Sequence, residues 1–197
     1  MNARRGRPPA YDRDAALLAI AETFRMRGYA GASLDEIARA AGMNRPSLFA
    51  AFGNKKSMFL AAVEDYRRRM RVAVSPALES DGALSEVLVR FFDAVIAFYH
   101  EGIAPGCLVL CTAPAEAPAD KEISAVLADA LKEIEKDLKG RILRAAVEGQ
   151  DVKDVAGLAQ LMSATLASIA IQARAGVMRA DLEHFARATV AVATGTG

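Results

Sequence analysis

The residues most typical of a specific chemistry lie in one segment, SLDEIARAAGMNRPSLF, residues 33–49. Ser33, followed three residues later by Glu36, is the pattern of a capping box that begins a helix. Gly42 permits a tight turn, and Pro46 suits the first turn of a second helix, where its missing N–H is harmless. Two short helices around such a turn form a helix-turn-helix, whose second helix can enter the major groove of DNA.

Apolar spacing divides this motif into a buried face and an exposed face. We expect Ile37, Ala38 and Leu48 to pack inward. The side chains left for the outer face, which would meet the groove, belong to Arg45, Ser47, Phe49 and Ala50. Helix pairs of this kind also occur without any role in nucleic-acid binding, so the motif alone leaves both interpretations open.

Charge is distributed unevenly along the chain. The 197 residues carry a formal net charge of +1. Residues 1–75 hold 14 Lys and Arg against 7 Asp and Glu, whereas residues 76–197 hold 11 against 17. Such asymmetry indicates that one half meets a polyanion and the other does not, although two unrelated solvated surfaces would give the same numbers.

Composition excludes several classes of protein. The chain is 53% hydrophobic and 25% charged, unlike a disordered protein of low hydrophobicity and high net charge. We expect charged residues to interrupt every apolar run before it reaches the ~18 residues of a membrane-spanning helix. We expect no signal peptide, because Pro8 and Pro9 stand where one needs an apolar segment. Two cysteines are too few for a disulfide scaffold, so we expect a cytoplasmic protein. We expect no membrane partner, cofactor, metal or enzymatic activity.

Helical periodicity predicts an all-α protein of about nine helices. Asp12 would cap the first helix, which Gly28 ends, and the fourth helix would run from Lys55 to about Arg71. Ser75-Pro76, where the charge balance changes sign, is the expected boundary before the body. The body is predicted to form four longer helices, over about 84–101, 121–148, 152–175 and 181–193. A short helix is predicted after residue 106, interrupted at Pro114 or Pro118.

Residues 11–66 resemble the DNA-binding domain of the tetracycline-repressor (TetR/AcrR) family of bacterial transcriptional regulators. The resemblance is carried by Ala21, Phe24, Gly28-Tyr29, residues 33–38, residues 41–49 and residues 52–55. It implies an Ω-shaped homodimer in which three helices form a DNA-binding head, a fourth links the head to the body, and the last two pair across the dimer. The implied domains are a basic arm (1–10), a helix-turn-helix domain (11–54), a linking helix (55–75) and an effector-binding and dimerisation domain (76–197).

The resemblance also implies a set of contacts to double-stranded operator DNA. Phe49 stands where the family usually has tyrosine, and Ala51 where a histidine or another large polar residue is common, so specificity would rest more on Arg45 and the arm. In the arm, Arg5-Gly6-Arg7-Pro8 resembles a short basic segment that lies in A·T-rich minor grooves, the alternative being a non-specific tail. The expected DNA-binding residues are Arg4, Arg5, Arg7, Ser33, Asn44, Arg45, Pro46, Ser47, Phe49 and Lys55.

The apolar body is expected to hold a small, largely apolar effector, although each candidate residue could equally be ordinary core. Those candidates are Phe91, Phe92, Val95, Phe98, Cys107, Leu108, Cys111, Met162, Leu166 and Ile169. The function that the resemblance implies is a ligand-released dimeric repressor of a palindromic operator. Cys107 and Cys111, one helical turn apart, leave open a redox- or electrophile-sensing repressor, against two small buried apolar side chains. An activator is a further alternative, and a small helical enzyme is the least favoured.

Deletion of residues 1–9 tests the role of the arm. Loss of about three phosphate-type contacts should lower the slope of log affinity against log salt concentration by about 2–3. Titration of operator DNA at several salt concentrations, beside the full-length chain, measures that slope. Unchanged affinity and slope would show that the arm makes no such contact.

Overall fold

The structure, a computed structural model, describes residues 11–195, and within that range the chain forms nine helices and no strand. The all-α prediction is therefore confirmed. The expected arm residues Arg4, Arg5 and Arg7 lie outside the described residues. The helices are α1 (Arg13–Gly31), α2 (Leu34–Ala40), α3 (Arg45–Phe52), α4 (Lys55–Glu79), α5 (Leu84–Tyr99), α6 (Leu108–Glu116), α7 (Lys121–Val147), α8 (Val155–Arg174) and α9 (Arg179–Thr194).

Side-chain caps determine where most of these helices begin. Asp12 accepts hydrogen bonds from two backbone amides of α1, and Asn54 accepts one from Ser57 at the start of α4. The capping box predicted for α2 is present, with Ser33 and Glu36 each accepting from the other's backbone N–H. Such caps satisfy amides that have no partner inside the helix, so local sequence is sufficient to define these starts.

Several predicted helix ends differ from the structure. The regular part of α1 ends at Gly28, as the sequence predicted, because Gly28 is non-helical (φ 71°, ψ 174°), and a short helical segment continues from this kink to Gly31. Helix α4 continues through Pro76 to Glu79, beyond the predicted end near Arg71. Pro76 removes one backbone N–H, but Arg144 of α7 donates to the carbonyl oxygen of Leu78 (2.9 Å) and stabilises the last turn. Pro114 likewise lies inside α6 and does not interrupt it.

A hydrophobic core runs from the first three helices into the body. In the head, which we define as α1–α3, Phe24 packs edge-on against Phe59 of α4, with ring centroids 5.2 Å apart. Helix α1 also packs against α6, while α4 packs against α5 and α7. In the body, α8 lies between α7 and α9, and α9 packs against α5. The head is thus held by α4 and α6 together.

A buried arginine joins α1 to the loop between α5 and α6. The Arg25 side chain is 3% exposed. Its Nη2 donates to the carbonyl oxygens of Tyr99 and Gly106, both at 3.1 Å, and its Nη1 donates to that of Glu101 at 3.0 Å. Nη1 also pairs with the carboxylate of Glu22. The guanidinium is therefore surrounded by oxygen atoms, which offset the cost of burying its charge.

Two further contacts extend this junction. The second carboxylate oxygen of Glu22 accepts from the backbone N–H of Ile103 at 3.0 Å. Arg174, the last residue of α8, donates to the carbonyl oxygen of Arg25. We call Glu22, Arg25, Arg174 and the loop carbonyls the Arg25 junction. It fixes α1 to two separate parts of the body, the α5–α6 loop and α8.

Replacing Arg25 with methionine tests the junction. Arg25→Met should lower the free energy of unfolding by about 3–5 kcal/mol, because it leaves the largely buried Glu22 carboxylate without its cation. Denaturant unfolding measures the change. The control is Arg27→Met, whose side chain is 58% exposed beside Glu36 and should cost less than about 1 kcal/mol. Equal losses in the two variants would contradict this role.

Candidate functional site

Helices α2 and α3 present the two faces that the sequence predicts. Ile37 and Ala38 of α2 and Leu48 of α3 are buried. The side chains of the opposite face of α3 are exposed, and these are Arg45, Pro46, Ser47, Phe49 and Ala50. Phe49 is 40% exposed. The start of α3 is therefore free to approach a macromolecular surface.

The residues that begin α3 hold each other in place. The Asn44 side chain accepts from the backbone N–H of Ser47 at 2.8 Å and so caps the helix. Arg45 lies 3.4 Å from the carboxylate of Asp35 on α2, and both side chains are more than half exposed. Exposed ion pairs of this kind are weak. Arg45 can therefore exchange Asp35 for another hydrogen-bond acceptor at little cost.

Ser33 and Lys55 already have partners in this structure. The Ser33 hydroxyl donates to Glu36 Oε2 at 2.9 Å, and the hydrogen bonds from Ser33 lower the pKa of the Glu36 carboxyl. Lys55 Nζ donates to the carbonyl oxygen of Ala30 at 3.1 Å and lies 5.0 Å from the ring centroid of Tyr29. Lys55 thus joins the start of α4 to the end of α1.

A cavity of about 60 Å³ lies between α4, α6 and α7. Its lining is mostly apolar, with Met70 and Val74 from α4, Leu110 from α6 and Ile134 from α7. At one side, Arg67 and Arg71 of α4 both pair with Glu133 of α7. These ion pairs connect the two helices that enclose the space.

The inner wall of the cavity carries polar side chains. Tyr66 and Cys107 line it, and both are buried. Burial raises the pKa of the Cys107 thiol and raises that of the Tyr66 hydroxyl well above its ordinary value. Both groups are therefore protonated at neutral pH.

Comparison with known proteins was consistent across sequence and structure. The family model for bacterial regulatory proteins of the tetR family matches residues 16–62. The regulator YezE of Bacillus subtilis is 28% identical over 183 residues, covering 91% of this chain and 93% of YezE. The repressor ComR of Escherichia coli is 27% identical over 190 residues, covering 94% of this chain and 90% of ComR. A cysteine mutant of the TetR-family regulator CifR, complexed with 26bp double-strand operator DNA, is 27% identical with a TM-score of 0.86, covering 94% of this chain and 98% of CifR.

The chain belongs to the TetR family. It is a DNA-binding transcriptional regulator, and its relatives are regulators rather than enzymes. The family model covers most of α1 together with α2, α3 and the start of α4, and we call α5–α9 the body.

Helix α8 corrects one expectation from the sequence. Val155–Ala173 contains no charged residue, and the most apolar 18-residue window of α8 has a mean hydropathy of 1.4, enough in length and composition to cross a membrane. Only 33% of that window is buried. In this TetR-family protein α8 packs against α5, α6, α7 and α9 as a helix of the body.

The structure brings only part of the expected ligand pocket together. Phe91, Cys107 and Leu166 line the cavity. Cys111 is half-buried, and its thiol donates to the carbonyl oxygen of Ala170 at 3.5 Å. The other candidates lie in the buried core and do not line this cavity, namely Phe92, Val95, Phe98, Leu108, Met162 and Ile169.

Sequence reasoning missed the contribution of α4 to this TetR-family cavity. Tyr66, Met70, Val74 and Leu78 recur every four residues and all line it. That spacing was a visible signal of one helix face. The arginines between those positions obscure this apolar face in the sequence.

Proposed function

We propose that this TetR-family regulator is a dimeric repressor of a palindromic operator, released from DNA by a small, largely apolar ligand in the cytoplasm. The observation that carries ligand release is the cavity between α4 and α7, because α4 also holds the head. DNA recognition by α3, dimerisation through α8 and α9, and release through α4 are argued separately below.

The start of α3 would contact the operator. Arg45 would donate to base edges or phosphate, with Ser47 and Phe49 beside it on the same exposed face. Asn44 and Pro46 would act mainly by fixing the first turn of α3. Ser33 and Lys55 would meet phosphates at the starts of α2 and α4, where the helix dipole favours an anion, together with the arm arginines Arg4, Arg5 and Arg7. Lys55 would exchange the Ala30 carbonyl for a phosphate.

Arg45→Ala tests this interface. Operator DNA is first selected from a random pool with the full-length protein. The variant should then bind it about 10- to 100-fold more weakly, since one good contact to a base is worth about 1–3 kcal/mol. Fluorescence anisotropy measures the affinity. Arg90→Ala, an arginine of α5 that is 43% exposed near Glu86, removes the same charge from the body and should leave binding unchanged. Binding by Arg45→Ala within twofold of wild type would contradict the assignment.

The exposed side chains of α8 and α9 support a dimer through these helices. Leu161 and Ile171 of α8 are 46% and 59% exposed, and Val192 of α9 is 85% exposed. A helix as apolar as α8 is expected to be buried, yet only 33% of its most apolar window is buried in the single chain. A second copy would cover it. Two-fold symmetry would then place two copies of α3 on a palindromic operator.

The double variant Leu161→Glu, Ile171→Glu should be monomeric at micromolar concentration. Two carboxylates would be buried without partners in the proposed interface. Sedimentation velocity measures the state of association. The matched control is Leu143→Glu, since Leu143 is 51% exposed on α7, and it should remain dimeric. A monomeric wild type, or a dimeric double variant, would overturn the assignment of α8 to the interface.

Ligand release would follow from the size of the cavity. About 60 Å³ is well below the roughly 300–1,000 Å³ of ordinary ligand pockets, so a ligand has to separate α4 from α7. That movement stretches the pairs of Arg67 and Arg71 with Glu133. Because Phe59 of α4 packs against Phe24 of α1, the same movement displaces the head. Ligand and DNA would then compete through their different affinities for the two conformations.

The redox alternative receives less support from this geometry. Burial raises the pKa of Cys107, which disfavours the thiolate that reacts with oxidants and electrophiles.

Activation instead of repression would leave the same DNA contacts and cavity. A reporter gene placed behind the selected operator distinguishes the two, since deletion of the regulator raises expression for a repressor and lowers it for an activator.

A further inference from the structure

One ion pair joins α2 to α3, and both of its side chains are exposed. Arg45 Nη1 lies 3.4 Å from Asp35 Oδ1, with the two side chains 51% and 67% exposed. Neither residue supplies the side-chain cap of its helix, because Ser33 and Glu36 form the capping box of α2 and Asn44 caps α3. The charged groups of the pair are therefore available to a binding partner.

The position of Asp35 is unfavourable for a surface that only attracts the DNA backbone. Helices α2 and α3 contain two acidic residues, Asp35 and Glu36. Glu36 is held by Ser33 and by Arg27 of α1, whose Nη2 lies 3.2 Å from Glu36 Oε1. Among the described residues Asp35 forms an ion pair with Arg45 alone, so it partly neutralises that arginine and repels phosphates. A role in selecting bases explains this carboxylate, whereas general attraction to DNA does not.

The helices hold the two charged groups side by side before DNA is bound. Helices α2 and α3 pack against each other, and Ile37 and Leu48 anchor them in the common hydrophobic core. The capping box and the Asn44 cap fix the first turns that carry Asp35 and Arg45. Less entropy is lost on binding when the groups that bind are already in position. The donor and the acceptor can therefore act on DNA as neighbours.

A G·C base pair has the complementary groups on its major-groove edge. Guanine presents two acceptors, N7 and O6, and the paired cytosine presents a donor, the N4 amine. The guanidinium of Arg45 has only N–H donors, and the carboxylate of Asp35 has only acceptors. Because a single nitrogen of Arg45 faces Asp35, the other donors can bind guanine while Asp35 accepts from cytosine.

We propose that Asp35 and Arg45 read one G·C base pair in each half of the operator as a unit. Arg45 donates to guanine N7 and O6, and Asp35 accepts from cytosine N4. This inference rests on the proposed function and deepens it, because it adds Asp35 to the interface and makes Arg45 a base-specific contact. At an A·T pair, adenine N6 would face the donors of Arg45 and thymine O4 would face the carboxylate, so both contacts become unfavourable.

The same pair lowers the affinity for all other DNA. Without a matching base pair, Asp35 brings a negative charge towards the phosphates and holds Arg45 away from them. Removal of Asp35 should therefore strengthen binding to random-sequence DNA while it weakens discrimination between base pairs. A side chain that only stabilised the start of α2 would change neither property.

Operators with a single base-pair change test the inference. The operator is selected from a random pool with the full-length protein, and each G·C pair of one half-site is replaced in turn by A·T. Fluorescence anisotropy measures the affinity of wild type, Asp35→Ala, Arg45→Ala and the double variant for every duplex. At one position wild type should prefer G·C by about 100-fold, since two contacts contribute there. The preference should fall to about tenfold or less in Asp35→Ala, and to within about twofold of none in Arg45→Ala and in the double variant.

The four proteins form a double-mutant cycle that tests whether the two residues act together. Loss of Asp35 should lower the preference about tenfold when Arg45 is present and leave it unchanged when Arg45 is absent. Asp35→Ala should also bind a random-sequence duplex up to about fivefold more tightly, with a slope of log affinity against log salt concentration steeper by up to about 1. Asp35→Asn, which keeps the shape of the side chain, should show the same increase.

Glu86→Ala is the matched control for the loss of an acid. Glu86 also lies in the first turn of its helix, α5, is 65% exposed and is 3.9 Å from an arginine, Arg90. This variant should keep the wild-type preference and the wild-type affinity for random DNA, with a melting temperature close to that of Asp35→Ala. Unchanged base preferences in Asp35→Ala, equal losses with and without Arg45, or a Glu86→Ala variant that behaves like Asp35→Ala would overturn the proposal. Tighter binding of Asp35→Ala to operator and random DNA by the same factor would also overturn it, because Asp35 would then only repel phosphates.

The same measurements separate this inference from the proposed function. If Arg45→Ala weakens operator binding while Asp35→Ala keeps every base preference, the α3 interface stands and reading by the pair is wrong. If neither variant changes binding to the selected operator, the α3 interface is wrong as well. Ligand release is independent of both results, because no ligand is present in these titrations.

Discussion

The arrangement of the whole molecule depends on one buried cation, the guanidinium of Arg25. Its donors bind carbonyl oxygens of the α5–α6 loop, and Glu22 balances its charge. The loop can approach α8 this closely only because residue 106 is a glycine. A Cβ atom at Gly106 would lie 2.8 Å from the carbonyl oxygen of Ala170 in α8. Head, loop and α8 are therefore fixed at one point. A buried polar cluster with this many partners is difficult to open, since any break leaves a charge without compensation.

The contacts of α4 with α7 are of a different kind. Lys56 pairs with Asp120 and Glu122 near the head, and Glu133 pairs with two arginines farther along. These pairs are partly exposed to solvent, and each contributes little to stability. Helix α4 is thus the part of the head-to-body connection that can move, while the Arg25 junction stays closed. A ligand that enters between α4 and α7 would work against the weaker connection.

Local sequence predicted the elements of this fold better than it predicted their contacts. Asp12, Ser33 and Asn54 act within three residues of themselves, so the starts of α1, α2 and α4 could be identified. At the end of α4, Ser80 caps the helix locally, but Arg144 binds the Leu78 carbonyl from 66 residues away, and no local pattern contains that second contact. Arg25 is a still clearer case, because its oxygen partners in the loop are 74 to 81 residues away. In the sequence it resembles any surface arginine of a helix.

The structure also changes how the charge asymmetry of the chain is interpreted. Residues 1–75 contain 14 basic side chains, but Arg25 is buried, and the four arginines of α4 pair with Asp65 or Glu133. Arg25 is therefore part of the Arg25 junction, Arg67 and Arg71 pair with α7, and Arg68 and Arg69 pair within α4, so all five cations already have acidic partners away from α3. The sequence count overestimates the charge available for a phosphate backbone. Recognition of DNA would then depend on few charged residues, chiefly Arg45, Lys55 and the arm. The exposed surface of α3 also offers Phe49 and Ala50 for apolar contacts with bases.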